Sequence, residues 1–127
     1  MGSARNRALT KRKSSELSKV FVPDDVEIAV LTATFDAREG AEEALAATLA
    51  RYVVMTRNEP ACRNVDLAAS VTHSGRMLII EKWESASAAQ EHLNSRLMTD
   101  MANEAIPLLA HKPELDLHDS ISAHDLL

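Results

Sequence analysis

Val26-Glu27-Ile28-Ala29-Val30-Leu31-Thr32-Ala33-Thr34 is the stretch on which the architecture turns. Side chains of an extended segment alternate between two faces. One face here carries Val26, Ile28, Val30, Thr32 and Thr34, and the other carries Glu27, Ala29, Leu31 and Ala33. Both faces are mostly apolar, which predicts a strand over 26–34 that is covered on both sides.

Downstream, Asp36-Ala37-Arg38-Glu39-Gly40 is turn-like, and the run 41–58 is rich in Ala, Leu and Glu. Leu45, Leu49, Tyr52 and Thr56 recur there at helical spacing, which predicts an amphipathic helix. Pro60 disfavours helical geometry at Glu59 and ends it. Residues 62–72 and 76–84 read as extended segments flanking His73-Ser74-Gly75, a connection of hairpin length, and so as an antiparallel pair. Ser87-Ala88-Ala89-Gln90 has the spacing of a capping box and opens a second helix. It runs toward Leu109, with a break point near Asn94-Ser95 or at Pro107, so two shorter helices fit as well as one. Leu115, Leu117, Asp119 and Ile121 alternate with Glu114, Asp116, His118 and Ser120, the pattern of a half-buried last strand.

The order β-α-β-β-α-β is the split βαβ, ferredoxin-like arrangement, an α+β fold with helices on one face of a four-stranded antiparallel sheet. The chain has no spare element for the other sheet face. A homodimer joined through the sheet faces is therefore expected.

With 127 residues and 46% hydrophobic content, the chain supports one domain, placed at 23–127. Residues 1–22 form a basic arm: the first 20 positions hold Arg5, Arg7, Lys11, Arg12, Lys13 and Lys19 against Glu16, whereas the chain as a whole is at −5. The arm lacks aromatic residues for base stacking and the body is acidic, so a solvated tail is the expected reading and nucleic-acid binding is not. A single cysteine, Cys62, allows no internal disulfide and fits a reducing cytoplasm. No apolar run approaches the ~20 residues of a membrane span, and no membrane partner is expected. His73, His111, His118 and His124 are scattered without an i,i+4 pair, so no metal site is expected. No Gly-rich dinucleotide fingerprint is present, so the expected cofactor is none.

Two patches carry a family resemblance. Glu59-Pro60-Ala61-Cys62, where the second strand begins, resembles an E-P-G-C motif, with Ala61 in place of glycine. Glu81-Lys82-Trp83-Glu84-Ser85, followed by His92-Leu93-Asn94-Ser95-Arg96-Leu97-Met98, resembles E-x-W-x-S and then H-x-x-S-x-x-aromatic. Together they resemble the antibiotic biosynthesis monooxygenase (ABM) family of the dimeric α/β barrel superfamily, over 26–121. Val65 stands where an aromatic is common and Met98 replaces the terminal aromatic, departures that bear on the substrate pocket more than on the fold. The resemblance implies ferredoxin-like subunits whose sheets face each other in a dimeric α/β barrel, each subunit holding a small apolar or aromatic ligand between sheet and helices. The family includes cofactor-free oxygenases of phenols and quinols, haem-degrading enzymes, isomerases and binding proteins, so the fold alone does not fix the chemistry.

Triplet oxygen reacts slowly with organic molecules unless an electron is supplied, so without a cofactor the substrate itself must be the reductant. The minimum kit is an apolar pocket, a base, and a donor for the developing oxyanion. His92 is the expected catalytic base, since imidazole titrates near neutrality and it matches the family's helix position. Trp83 is expected to pack a planar substrate or fill the core, Asn94 and Arg96 to donate hydrogen bonds or lie exposed, and Tyr52 to fill the core or turn its hydroxyl to the pocket. A buried Glu81, sharing a strand face with Trp83, is expected to pair with Arg76 or Arg63. Cys62 reads as an inert small hydrophobe.

The expected function is a cofactor-independent monooxygenase of a small aromatic or quinol-type substrate, with a non-catalytic ligand-binding or accessory dimer as the alternative. Haem degradation ranks lower, because where haem-degrading relatives use Asn, Trp and an axial His this chain has Ala33, His92 and Met101-Ala102-Asn103. An isomerase also ranks lower, as no phosphate-cradling glycine loop is visible.

Overall fold

The computed structural model describes residues 27–123; the basic arm of 1–22, Val26 and His124 lie outside the described residues. The opening stretch forms β1 (Ala29–Asp36), in which every second residue, Ala29, Leu31, Ala33 and Phe35, is buried. A helix follows, α1 (Glu42–Thr56), with Glu42 and Glu43 in its first turn, where carboxylates oppose the positive end of the helix dipole. Its buried stripe is Leu45, Thr48, Leu49, Tyr52, Val53 and Thr56, a three-and-four spacing that lays one face on the sheet. Fully burying a leucine such as Leu45 or Leu49 contributes roughly 1.5–3 kcal/mol each.

β2 (Cys62–Ala69) and β3 (Arg76–Trp83) form the expected antiparallel pair, with Leu67 opposite Ile79 and Cys62 opposite Trp83. Their connection ends in Gly75, whose φ of +81° is left-handed backbone that favours glycine. β2 stops at Ala69, short of the expected Thr72, because the Ser70 hydroxyl accepts from the amides of Thr72 and His73 and turns the chain.

The second helical region is broken at Asn94-Ser95, one of the two alternative break points, and tightens at the other, Pro107. α2 (Ala86–Leu93) is capped by Ser85, whose hydroxyl accepts from the Ala88 amide at 3.0 Å. The capping box expected at Ser87 is thus corrected: Ser85 has extended backbone and takes the cap two residues earlier. α3 (Arg96–Ala105) has its own cap, Ser95, accepting from the Met98 amide, and Pro107 sits in a single 3₁₀ turn, Ile106–Leu108. β4 (Glu114–Asp119) closes the fold.

The sheet order is β2-β3-β1-β4, all antiparallel, with every helix on one face: a ferredoxin-like α+β fold. The helix-side core divides into a large cluster around Phe35, Leu49, Val65 and Ile79, and a smaller one of Ala29, Leu31, Trp83 and Ala89. Cys62 and Leu93 pack against both clusters. On the opposite face the registers place Thr32 beside Ile80, Thr34 beside Leu78 and Val30 beside Lys82. None of the described helices is long and apolar enough to cross a membrane.

Candidate active site

Four elements converge where the two core clusters meet. The buried stripe of α1 delivers Tyr52. Alternation along β3 delivers Glu81 and Trp83 to the same face, each about 1% exposed. The last turn of α2 delivers His92, also buried. Glu59 comes from the turn that Pro60 imposes after α1, where the Cys62 amide donates to the Glu59 carbonyl at 3.0 Å.

The side chains form one connected chain of hydrogen bonds. Tyr52 donates its hydroxyl to Glu81 Oε2 at 2.5 Å and lies 2.6 Å from His92 Nε2. Trp83 Nε1 donates to Glu81 Oε1 at 2.8 Å, so both oxygens of the buried carboxylate are satisfied. His92 Nδ1 lies 3.0 Å from Glu59 Oε2. The imidazole stacks on Trp83 with ring centroids 4.5 Å apart and tilts against Tyr52 at 5.7 Å.

Beside this chain opens a cavity of about 400 Å³. Trp83 and His92 border it from the core, Glu59, Pro60 and Ala61 from the turn before β2, and Glu84, Ala88, Glu91 and Ser95 from β3's end and α2. The Glu84 amide donates to the Ala61 carbonyl at 3.0 Å and ties two of these walls together. The His92 side chain has no solvent exposure and both its ring nitrogens are engaged, whereas the Glu59 side chain is 32% exposed. Of the carboxylates that border the cavity, Glu59 is the one in contact with His92.

Burial, and after it the charge of Glu81, pushes the Tyr52 hydroxyl far above the ordinary phenol range, so it stays protonated. Burial likewise pushes the Cys62 thiol up to about 11, the state of an unreactive thiol at neutral pH.

Of the residues singled out in the sequence, the structure brings Tyr52, Trp83 and His92 together. Asn94 and Arg96 lie elsewhere: Asn94 is exposed at the C-cap of α2, and Arg96, 92% exposed, pairs with Asp100 one helical turn on. The pairing expected between Glu81 and Arg76 is corrected. Five positions apart on a strand, the two residues point to opposite faces, and Arg76 instead makes a bidentate pair with Asp36. Sequence reasoning did not single out Glu59 and Ser95 as cavity-lining residues. The Glu-Pro pair that ends α1 was the signal for the first; the second is the same serine that caps α3, set against the cavity by the break at Asn94. Among the described residues, no group of three or more His, Cys, Asp or Glu could hold a metal ion.

A family model described as antibiotic biosynthesis monooxygenase matches residues 28–104. Solved structures share the fold. Rv0793 from Mycobacterium tuberculosis is similar at 26% identity and a TM-score of 0.70, over 76% of this chain and 97% of that one. SO0527 from Shewanella oneidensis is similar at 26% identity and a TM-score of 0.68, over 74% and 91%. NE2512 from Nitrosomonas europaea, a protein of unknown function, reaches a TM-score of 0.72 at 18% identity, over 81% and 98%. No curated protein matches the chain.

Proposed function

The chain belongs to the antibiotic biosynthesis monooxygenase family, and from that premise we propose that it is a cofactor-independent monooxygenase of a small phenolic or quinol-type aromatic, working in the cytoplasm. The observation that carries this reading is the cavity beside Trp83, which sets a partly exposed carboxylate on a buried imidazole at the edge of an aromatic wall.

In the reaction, Glu59 takes the hydroxyl proton of the substrate, leaving an electron-rich phenolate that can reduce oxygen. A ring carbon forms a bond to one oxygen atom, the distal oxygen takes a proton, and the O–O bond breaks as that ring carbon loses its hydrogen. A phenol and one O₂ thereby give a quinone and one water, with the substrate supplying all the electrons. Ser95 is placed to donate to the developing oxyanion: its oxygen accepts from the Met98 amide, which leaves its own proton for the cavity.

Members of the family are commonly dimeric. For this chain the dimer forms through the sheet face that carries Val30, Thr32, Thr34, Leu78 and Ile80, which no element of the same chain covers among the described residues.

The test is oxygen uptake with a panel of naphthols and hydroquinones. Wild-type protein consumes oxygen in proportion to substrate, and Glu59→Gln, which keeps an acceptor for His92 but removes the base, lowers the rate by roughly 10²-fold. Saturable quenching of Trp83 fluorescence by the same compounds without oxygen uptake would overturn the oxygenase reading in favour of a ligand-binding protein.

A further inference from the structure

Glu81, Tyr52, His92 and Glu59 make three contacts in series, at 2.5, 2.6 and 3.0 Å, and each contact needs one proton between its two heavy atoms. With Tyr52 protonated and the outer proton on His92 Nδ1, so that Glu59 is ionised and free to act as a base, the three protons can be placed in two ways. In the first, His92 carries both ring protons, donating to Glu59 and to the Tyr52 oxygen, while Tyr52 donates to an ionised Glu81. In the second, His92 keeps only the Nδ1 proton, Tyr52 donates to the bare Nε2, and a protonated Glu81 donates to the Tyr52 oxygen. The two differ by a one-step shift of two protons toward Glu81, and the net charge of the group is the same in both.

We propose that Tyr52 and Glu81 are positioning residues through which His92 hands a proton inward, removing positive charge from beside Glu59 as that carboxylate receives the substrate's proton. The inference rests on the reading of this cavity as the place where a hydroxyl is deprotonated. A doubly protonated His92 against Glu59 weakens the carboxylate as a base; a neutral one strengthens it. In a buried site such a charge is felt more strongly than in water, so moving it matters. Tyr52 suits the middle position, because burial holds it protonated and it can pass a proton only by receiving one. Trp83 suits the far end, because its N–H occupies Glu81 Oε1 and leaves Oε2 for Tyr52. The other titratable groups facing this chain are Cys62 on β2, a neutral thiol at ordinary pH, and Glu84 and Glu91 across the cavity; Arg57 at the end of α1 is engaged with the Val65 carbonyl.

Nitrogen-15 NMR of ring-labelled histidine in the full-length, substrate-free protein reads the proton placement directly. In the wild type, the Nε2 signal of His92 should lie between those of a protonated and a bare nitrogen. In Glu81→Gln, Trp83 keeps the amide oxygen at the Oε1 position, so the amide nitrogen must face Tyr52 and Tyr52 must donate to His92. Nε2 should then become fully bare. Tyr52→Phe should also abolish the intermediate signal, and with substrate should lower kcat by at least roughly tenfold with KM unchanged. An Nε2 signal that is the same in the wild type and in either variant would overturn the proposal. Absence of oxygen uptake in every protein would sink the oxygenase reading alone, because the proton placement is read without substrate.

Discussion

Cys62 shows how much a single residue's surroundings decide. Its thiol is held up to about 11, first by burial and then by the charge of Glu81. Because the folded value lies above the ordinary one, the thiol contributes stability below the usual thiol range and loses it as pH rises through about 11. Alkylation of the native protein should be slow at pH 8 and should accelerate only as pH approaches that value, followed by mass spectrometry; labelling at pH 8 as fast as a free thiol would show that the pocket around Cys62 is not closed. At this scale His92, Trp83 and Tyr52 were legible, because spacing and motif placed each on an inward face. The hydrogen-bond chain was not, since the partner of Glu81 comes from a helix 29 positions away in sequence and only the packed fold brings the two together. Asn94 and Arg96 were left between hydrogen-bond donors and exposed helix residues, and they lie exposed where the break at Asn94 turns the chain.

Among the elements, β1 and β3 are joined at one end by Asp36 and Arg76, with His111 adding a second contact to Asp36. The Arg76 guanidinium, by hydrogen bonding first and by charge as well, holds the Asp36 carboxyl below the usual carboxylate range. A depressed value means that the pair stabilises the fold above the ordinary carboxylate pKa, about 3.9, and that this is lost as pH falls through the folded value. Asp36→Asn should therefore lower Tm at pH 7, and the gap to wild type should close below about pH 4; a gap of constant size down to pH 2 would show that the loss was one of shape rather than charge. Element order and type were readable because the periods of 2 and 3.6 are local properties of the chain. Ends were less so. The hydroxyls of Ser70, Ser85 and Ser95 set three of them, and a sequence with Ser85, Ser87 and Ser95 close together offers several caps between which only the packed helices choose.

For the whole molecule, the proposed dimer rests on the sheet face opposite the helices. Val30, Leu78 and Ile80 lie at its centre, with Asp66 beside Ile80 on one flank and Asp116 beside Thr32 on the other. The apolar residues on both sides of β1 are what led, in the sequence, to the expectation of a second subunit on this face. Ile80→Glu should convert a dimer to a folded monomer in sedimentation while leaving the helix-side core intact, since Ile80 points away from it; an unchanged dimer mass would place the contact elsewhere.

The oxygenase reading is tested most directly by running the reaction under ¹⁸O₂ in ordinary water with a chelator present and weighing the quinone. The reading predicts one ¹⁸O atom in each product molecule from the wild type, and a loss of labelled product in Glu59→Gln that matches its loss of oxygen uptake. Product whose new oxygen comes from water, or labelled product formed equally fast without the Glu59 carboxylate, would contradict it.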